Sequence, residues 1–445
     1  MKTLVYGLGE SGLAAAHALR ERDEEVVVAD ASDAQSSRDI ASKLGVSRLL
    51  KADPRILAEN FDRIVASPGI RPRDALLTAA EKARVPVLSE VALGLELLGP
   101  DLRVAAITGT NGKTTVVDML RGILAASGTP HAVAGNSWRA LTGHLHEARE
   151  ASLLVLEVSS FQLHYIDDPG FNVAALLNIR PDHLNWHASF EEYAADKLRV
   201  FDGQRAEDLA LVSAEDPVGR GAAGGLAAET LVVGAEETGV LAGNLVLRGR
   251  GIASVEELPF SGPHNYENAV FAAATAERLG ISLDGIRKGL IGYQLKPHRM
   301  QVIARHGGVT YVDDSKATNP ASVAAALASF GEPVVLILGG SEKETDFTEV
   351  LPQIGRCRAV ICQGEAGPGI YRYLEEKGDG TGVFFLEPDL ASAVTRAQKV
   401  AYPGDVVLLS PGCASFDQFS GYALRGEAFA GFVAELARAG GRARR

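Results

Sequence analysis

Short apolar runs broken by glycine or charge alternate along this chain with stretches whose apolar residues recur every three or four positions. Runs at Leu4 to Gly7, Val26 to Asp30 and Arg63 to Ala66, with a helical stretch through Leu19, predict a small α/β domain with a parallel sheet over residues 1–92. Nearly continuous Val/Leu/Ala runs at Val104 to Thr108, Leu153 to Val158 and Val173 to Asn178 predict buried parallel strands of a second α/β domain, residues 93–297. Residues 203–250, rich in Gly, Ala and Glu, define little beyond a β-hairpin late in the stretch. A helix from Asn265 to Leu279 closes the second domain, and Tyr293 to His298 reads as a linker. Strand runs at Val309 to Val312, Val334 to Leu338, Ala359 to Cys362, Val383 to Leu386 and Val406 to Leu409 then alternate with helices, predicting a third α/β domain over 298–445.

At 445 residues the chain is long enough for several cores without staples. Its three cysteines, Cys357, Cys362 and Cys413, form no metal-ligand spacing and no even framework, so a reducing, cytoplasmic setting is expected. The first apolar run is broken too early for a signal peptide, and no run approaches the roughly 18 apolar residues of a membrane span. A net charge of −12 disfavours nucleic acid and anionic membranes as general partners while allowing local phosphate pockets.

The clearest chemistry lies at Gly109-Thr110-Asn111-Gly112-Lys113-Thr114-Thr115, between an apolar strand and a helix start. Such a turn presents backbone N–H groups and the positive helix end to phosphate, while Lys113 offers an ammonium and Thr114 a hydroxyl for Mg²⁺. The glycine spacing is shorter than in the general P-loop, so this is a related but distinct phosphate loop in a P-loop-type mononucleotide-binding domain. Gly7-x-Gly9-x-x-Gly12 with Asp30 ending the next strand superficially matches a dinucleotide fingerprint. NAD(P), another nucleotide or diphosphate, and a turn serving only packing all remain open for it.

Glu157 ends one buried strand, and Asp182 and His183 follow the next. Strand ends of this kind hold ligands, so Glu157 and His183 are candidates to share a cation with Thr114 and ATP; a surface histidine is the plainer alternative. Ser189 and Glu192 form a capping box for a helix whose apolar face is Phe190, Tyr193, Ala194, Leu198 and Phe201. Lys197 falls inside that stripe. Its amine either snorkels to the rim or is held where burial favours the neutral form, which reacts with CO₂ to give a metal-binding carbamate.

In the third domain, Asp313 to Pro320, Gly339 to Phe347 and Ser410 to Asp417 each follow an apolar strand, implying a binding crevice. Lys316, Lys343 and the Ser415 region can hold the carboxylates of a small acidic substrate. Cys413 has no histidine base nearby in sequence and reads as a small buried residue.

Taken together, GTNGKTT (Gly109 to Thr115), EVSSFQL (Glu157 to Leu163), Asp182-His183, GPHNYEN (Gly262 to Asn268), His298-Arg299, DSKATN (Asp314 to Asn319) and SPGCASFDQF (Ser410 to Phe419) resemble the Mur ligases over essentially the whole chain. The last block resembles the member that adds D-glutamate. The resemblance implies a Rossmann-like N-terminal domain holding the UDP substrate, a central ATP-binding domain and a mobile, Rossmann-like C-terminal domain bringing glutamate. It also implies ligation of D-glutamate to UDP-N-acetylmuramoyl-L-alanine with ATP and two Mg²⁺ ions, by a monomer in the cytoplasm. ATP contacts fall on Gly109 to Thr115, Asn268 (near adenine), Arg299 and Asp314. Thr114, Glu157, His183 and a carbamylated Lys197 serve the metal ions, with Lys113, His183 and Lys197 catalytic. UDP-substrate contacts fall on Ser11, Gly12, Leu13, Asp30, Ser67, Gly69 and Asn136, and glutamate contacts on Lys316, Thr318, Lys343, Ser415 and Phe416. The chain departs from the family pattern at Ser137-Trp138, where Ile-Gly is usual, and at Asn185-Trp186, in place of a frequent Asp-Arg. Lys296 and Gly412 depart as well, the glycine where alanine is common and where only local flexibility is expected to change. The competing readings are an L-glutamate-adding, folylpolyglutamate-type or other Mur ligase, an NAD(P)-dependent dehydrogenase, and a nucleotide-binding protein without ligase activity.

Overall fold

The computed structural model describes residues 1–30, 49–151, 153–235, 237–342, 346–378, 380 and 382–442. It divides into two compact units, Met1–Leu258 with Tyr266–Tyr293, and Pro259–Asn265 with Gln294–Arg445.

The first unit begins with a five-stranded parallel sheet in the order Leu49–Lys51, Glu25–Asp30, Lys2–Tyr6, Arg63–Ala66, Val87–Ser89. The chain winds outward from Lys2–Tyr6 and then returns to its other side. That reversal leaves a crevice beyond the carboxyl ends of Lys2–Tyr6 and Arg63–Ala66. Leu4, Val5, Ile64 and Val65 are buried on its two faces. The helix Glu90–Leu98, capped by Ser89, runs across position 92. Its Leu93 and Leu97 pack in the N-terminal core while Val91 packs in the next one.

A six-stranded parallel sheet follows, ordered Glu229–Val233, Leu209–Ser213, Val173–Leu176, Arg103–Thr108, Leu153–Glu157, Ala132–Gly135. Arg103–Thr108 therefore lies between Leu153–Glu157 and Val173–Leu176, which gathers the phosphate loop, Glu157 and the segment after Leu176 at the carboxyl ends of three neighbouring strands. The stretch 203–250 supplies two strands of this sheet and the first two of a three-stranded antiparallel sheet, Gly239–Leu241 and Asn244–Leu247, which Arg250–Ser254 completes. The N-terminal sheet is tied to this part of the unit by Ser89 N–H donating to Tyr165 O at 3.1 Å and Trp186 Nε1–H to Pro68 O at 3.0 Å.

The second unit holds a six-stranded sheet, Gln301–His306, Val309–Asp313, Val406–Leu409, Val334–Gly339, Cys357–Gln363, Phe384–Glu387. Only the edge strand Gln301–His306 is antiparallel. Helices cover both faces, giving separate cores around Leu336 and Ile337. No helix among the described residues is long and apolar enough to cross a membrane.

Candidate active site

Strand Arg103–Thr108 delivers the phosphate loop and helix Lys113–Ala126 follows it. Gly112 is the N-cap at φ 87°, with no side-chain cap on the first turn, leaving that helix end available to an anion. A Cβ at Gly112 would stand 2.6 Å from Asn268 Oδ1. Glycine thus lets the Asn268 amide close on the phosphate loop itself. Asn178 clamps the loop: its Oδ1 accepts Asn111 N–H at 2.9 Å and its Nδ2 donates to Asn111 O at 3.2 Å. Thr110 Oγ1 lies 2.9 Å from Tyr193 Oη and accepts Arg180 N–H at 2.9 Å. Neither Asn178 nor Tyr193 is identifiable as a loop partner from local sequence, because Asn178 reaches the loop from beyond the neighbouring strand Val173–Leu176 and Tyr193 from the helix Phe190–Leu198. Thr114 is half-buried and Thr115 buried in the first helical turn.

Two lysine amines converge on one carbonyl. Lys113 Nζ donates to Gly109 O at 2.7 Å and to Thr110 O at 2.9 Å, and Lys197 Nζ donates to the same Gly109 O at 2.9 Å. Lys197 is 2% exposed, with its Nζ 4.8 Å from the Tyr193 ring centroid. Burial first, and the nearby Lys113 charge second, hold its amine well below the ordinary lysine range. The helix Phe190–Leu198 that carries it is capped by Ser189 Oγ, which accepts Glu192 N–H at 3.3 Å. The other half of the expected capping box is displaced: Glu192 Oε2 accepts from Ala188 N–H, not from Ser189, and meets Arg73 at 2.9 Å.

Glu157 is fully buried and its carboxylate accepts three neutral donors: Asn136 Nδ2 at 3.1 Å and Ser137 Oγ at 2.8 Å on Oε1, and Trp138 Nε1 at 3.0 Å on Oε2. No basic side chain among the described residues pairs with it. A buried carboxylate and the Thr114 hydroxyl are hard oxygen donors of the sort Mg²⁺ prefers, so this set fits that ion. His183 fits less directly, since imidazole suits softer metals. It holds φ 55°, its backbone N–H bonds Asp182 Oδ1 at 2.8 Å, and its ring lies 4.8 Å from Phe161 and 6.3 Å from Tyr193. Nearby, His164, Glu192 and Asp196 bring ligand atoms within 4.8 Å of one another. That trio is internally compensated, because His164 Nδ1 lies 2.8 Å from Asp196 Oδ2 and Glu192 is paired with Arg73.

At the N-terminal crevice, Ser67 Oγ donates to Gly7 O at 3.1 Å, and a Cβ on Gly12 would fall 1.9 Å from the same oxygen. Glycine at 12 is required for that approach. Asp30 Oδ2 accepts Leu8 N–H at 3.0 Å, so the carboxylate is drawn into the glycine turn. Ser11 and Leu13 sit in the following helix, Glu10–Arg20, partly buried, and Gly69 is exposed. Trp186, beside this crevice, is 4.7 Å from Phe161 and is bonded to the Pro68 carbonyl.

In the second unit, Asp314 accepts Ser410 Oγ at 2.9 Å and Met300 N–H at 3.2 Å, and burial pushes its carboxyl up to about 7. Arg299 is partly buried in the adjoining segment. Lys316 Nζ lies 4.4 Å from the Tyr422 ring centroid, Ser415 is buried, Thr318 is half-buried and Phe416 is 75% exposed. Lys343 lies outside the described residues. Arg425 is the residue local reading missed. It is 1% exposed, and its guanidinium donates to Ser315 Oγ and O at 2.9 and 2.8 Å and to Cys413 O and Ala414 O at 3.0 and 3.1 Å. It thereby braces the loop bearing Lys316 against the loop bearing Ser415. Gly412 corrects an expectation: its φ of 68° is left-handed, so glycine sets the loop's path and does more than loosen it.

Comparison with known proteins extends this geometry. Residues 1–89 match the Mur ligase MurD-like N-terminal domain, 107–276 the Mur ligase middle domain, and 298–413 the Mur ligase glutamate ligase domain. The chain is 65% identical to the UDP-N-acetylmuramoylalanine–D-glutamate ligase of Rubrobacter xylanophilus over 96% of this chain and 97% of that protein. It is 38% identical to the same-named protein of Streptomyces coelicolor, covering 97% of each. Among solved structures, the ligase MurF of Acinetobacter baumannii superposes with a TM-score of 0.62 at 19% identity, covering 95% of this chain and 92% of that one, a likeness of fold. The phosphate loop, the three sheets built on parallel strands and these full-length similarities lead to one assignment: the chain belongs to the Mur ligase family.

Proposed function

We infer that this chain is an ADP-forming acid–amino-acid ligase that adds D-glutamate to UDP-N-acetylmuramoyl-L-alanine in peptidoglycan precursor synthesis. The observation that carries this reading is the strand–loop–helix at Gly109 to Thr115 beside two converging lysines, in a chain similar end to end to D-glutamate ligases.

A carboxylate is a poor electrophile, so amide formation requires a better leaving group. An oxygen of the L-alanyl carboxylate attacks the γ-phosphorus of ATP, the bond to the bridging oxygen breaks, and ADP leaves. The resulting acyl phosphate accepts the glutamate nitrogen at its carbonyl carbon. After loss of a proton from that nitrogen, the tetrahedral intermediate collapses and expels phosphate. Lys113 exchanges its loop carbonyls for the phosphates, and the uncapped helix end holds them in line on a loop that Asn178 keeps in shape. Thr114 and Glu157, with His183 assisting, would hold Mg²⁺, which when bound neutralises charge on the phosphate oxygens.

Lys197 is proposed to carry a carbamate. Burial and the Lys113 charge favour its neutral amine, the form that adds CO₂, and the anion so formed would satisfy the neighbouring cationic groups. Asn268 and Arg299 serve ATP together with Asp314. Ser11, Gly12, Leu13, Asp30, Ser67, Gly69 and Asn136 serve the UDP substrate. Lys316, Thr318, Lys343, Ser415 and Phe416 serve glutamate.

Supplying ATP, Mg²⁺ and UDP-N-acetylmuramoyl-L-alanine with each glutamate enantiomer in turn tests the reading. D-Glutamate should give the amide product by mass, with ADP and phosphate. Amide formation with L-glutamate alone, or release of AMP and pyrophosphate, would overturn it.

A further inference from the structure

We propose that Ser137 and Trp138 are positioning residues for the Glu157 carboxylate, orienting it, together with Asn136, for a divalent cation; this rests on the reading of Glu157 as a metal ligand. A carboxylate offers about four lone-pair directions. Asn136 and Ser137 take two on Oε1 and Trp138 takes one on Oε2, so a single direction on Oε2 remains for a cation.

The donors are preset by the backbone. Gly135 ends its strand at φ 105°, and a Cβ there would lie 2.1 Å from Glu157 O, so only glycine lets the chain pass so close. Asn136 N–H then donates to Glu157 O at 2.9 Å, Trp138 N–H to Gly135 O at 2.9 Å, and Gly135 N–H to Arg139 O at 3.0 Å. This closed turn points three consecutive side chains at one carboxylate.

All three donors are uncharged, which is the telling feature. A lysine or arginine in their place would orient Glu157 equally well but would cancel its charge and compete with the cation. Neutral donors fix the geometry and leave the charge available.

The test is Mn²⁺ affinity of the full-length enzyme with a non-hydrolysable ATP analogue, read by electron paramagnetic resonance, for Ser137→Ala, Ser137→Thr, Trp138→Phe and Glu157→Gln, each checked for folding by thermal melting. Loss of an outer hydrogen bond to a metal ligand typically weakens binding about tenfold or more. Ser137→Ala and Trp138→Phe should each do so, Ser137→Thr should bind as the parent enzyme does, and Glu157→Gln should weaken binding at least as much as either. Should Trp138→Phe fail to fold, the Ser137 pair decides. Unchanged affinity in Ser137→Ala beside weakened affinity in Glu157→Gln would overturn the positioning role alone. Unchanged affinity in Glu157→Gln would instead overturn Glu157 as a ligand.

Discussion

Two amines sharing the Gly109 carbonyl set the chemistry at the residue scale. Lys197 gains little for folding from its buried nitrogen, since Gly109 O keeps its bond from Lys113. Lys197→Met should therefore leave the melting temperature within a few degrees of the parent while lowering kcat by about 10²-fold or more, the scale of losing one preorganised electrostatic group. Steady-state rates and calorimetry on the same preparation check both halves. Asp314 gives a pH prediction. Its carboxyl rises from 3.8 to about 7 on burial, so the folded protein binds more protons than the unfolded chain between those values. Stability from this group therefore falls as pH rises through that window. Asp314→Asn, whose Oδ1 still accepts Met300 N–H while its Nδ2 donates to Ser410 Oγ, should gain melting temperature relative to the parent from pH 4 to 7 and hold the gain above it. A difference independent of pH would contradict the assignment. Arg425→Met should destabilise the second unit by roughly 3 kcal/mol, because the carbonyls of Ser315, Cys413 and Ala414 lose a charged donor; denaturant unfolding measures it.

Elements show why some of this was legible in sequence and some was not. The phosphate loop was readable because strand, turn and helix start are contiguous and the chemistry sits within the turn. Lys197 stood out because a cation interrupts an apolar helical stripe. The strands Leu49–Lys51 and Val87–Ser89 are three residues each, too short for a periodic signal. Glu229–Val233 is a half-buried edge strand in a stretch rich in small residues, and its neighbour Leu209–Ser213 was hidden with it. Arg425 looked like any charged residue on an amphipathic helix, since its partners lie on loops far away in sequence. The same locality explains the capping box: Ser189 was identified from the pattern, but Glu192 turns to Ala188 and Arg73 because the N-terminal sheet approaches there. Ser189→Ala should cost about 1 kcal/mol by removing the cap of the helix that presents Lys197. Gly412→Ala should cost about 1–2 kcal/mol because a Cβ strains the left-handed backbone. Equilibrium unfolding reads both.

On the scale of the whole molecule, each proposed substrate group sits at the carboxyl ends of its own parallel strands. The first unit carries the residues proposed for the UDP substrate and the phosphate loop, and the second carries those proposed for glutamate. The central claim is that the phosphate loop directs the γ-phosphoryl group onto the acceptor's own carboxylate before glutamate attacks. Turnover with UDP-N-acetylmuramoyl-L-alanine labelled with ¹⁸O in both carboxylate oxygens measures this most directly. One labelled oxygen should appear in the released phosphate and the other in the new amide. Phosphate free of label, with amide formed, would contradict the account.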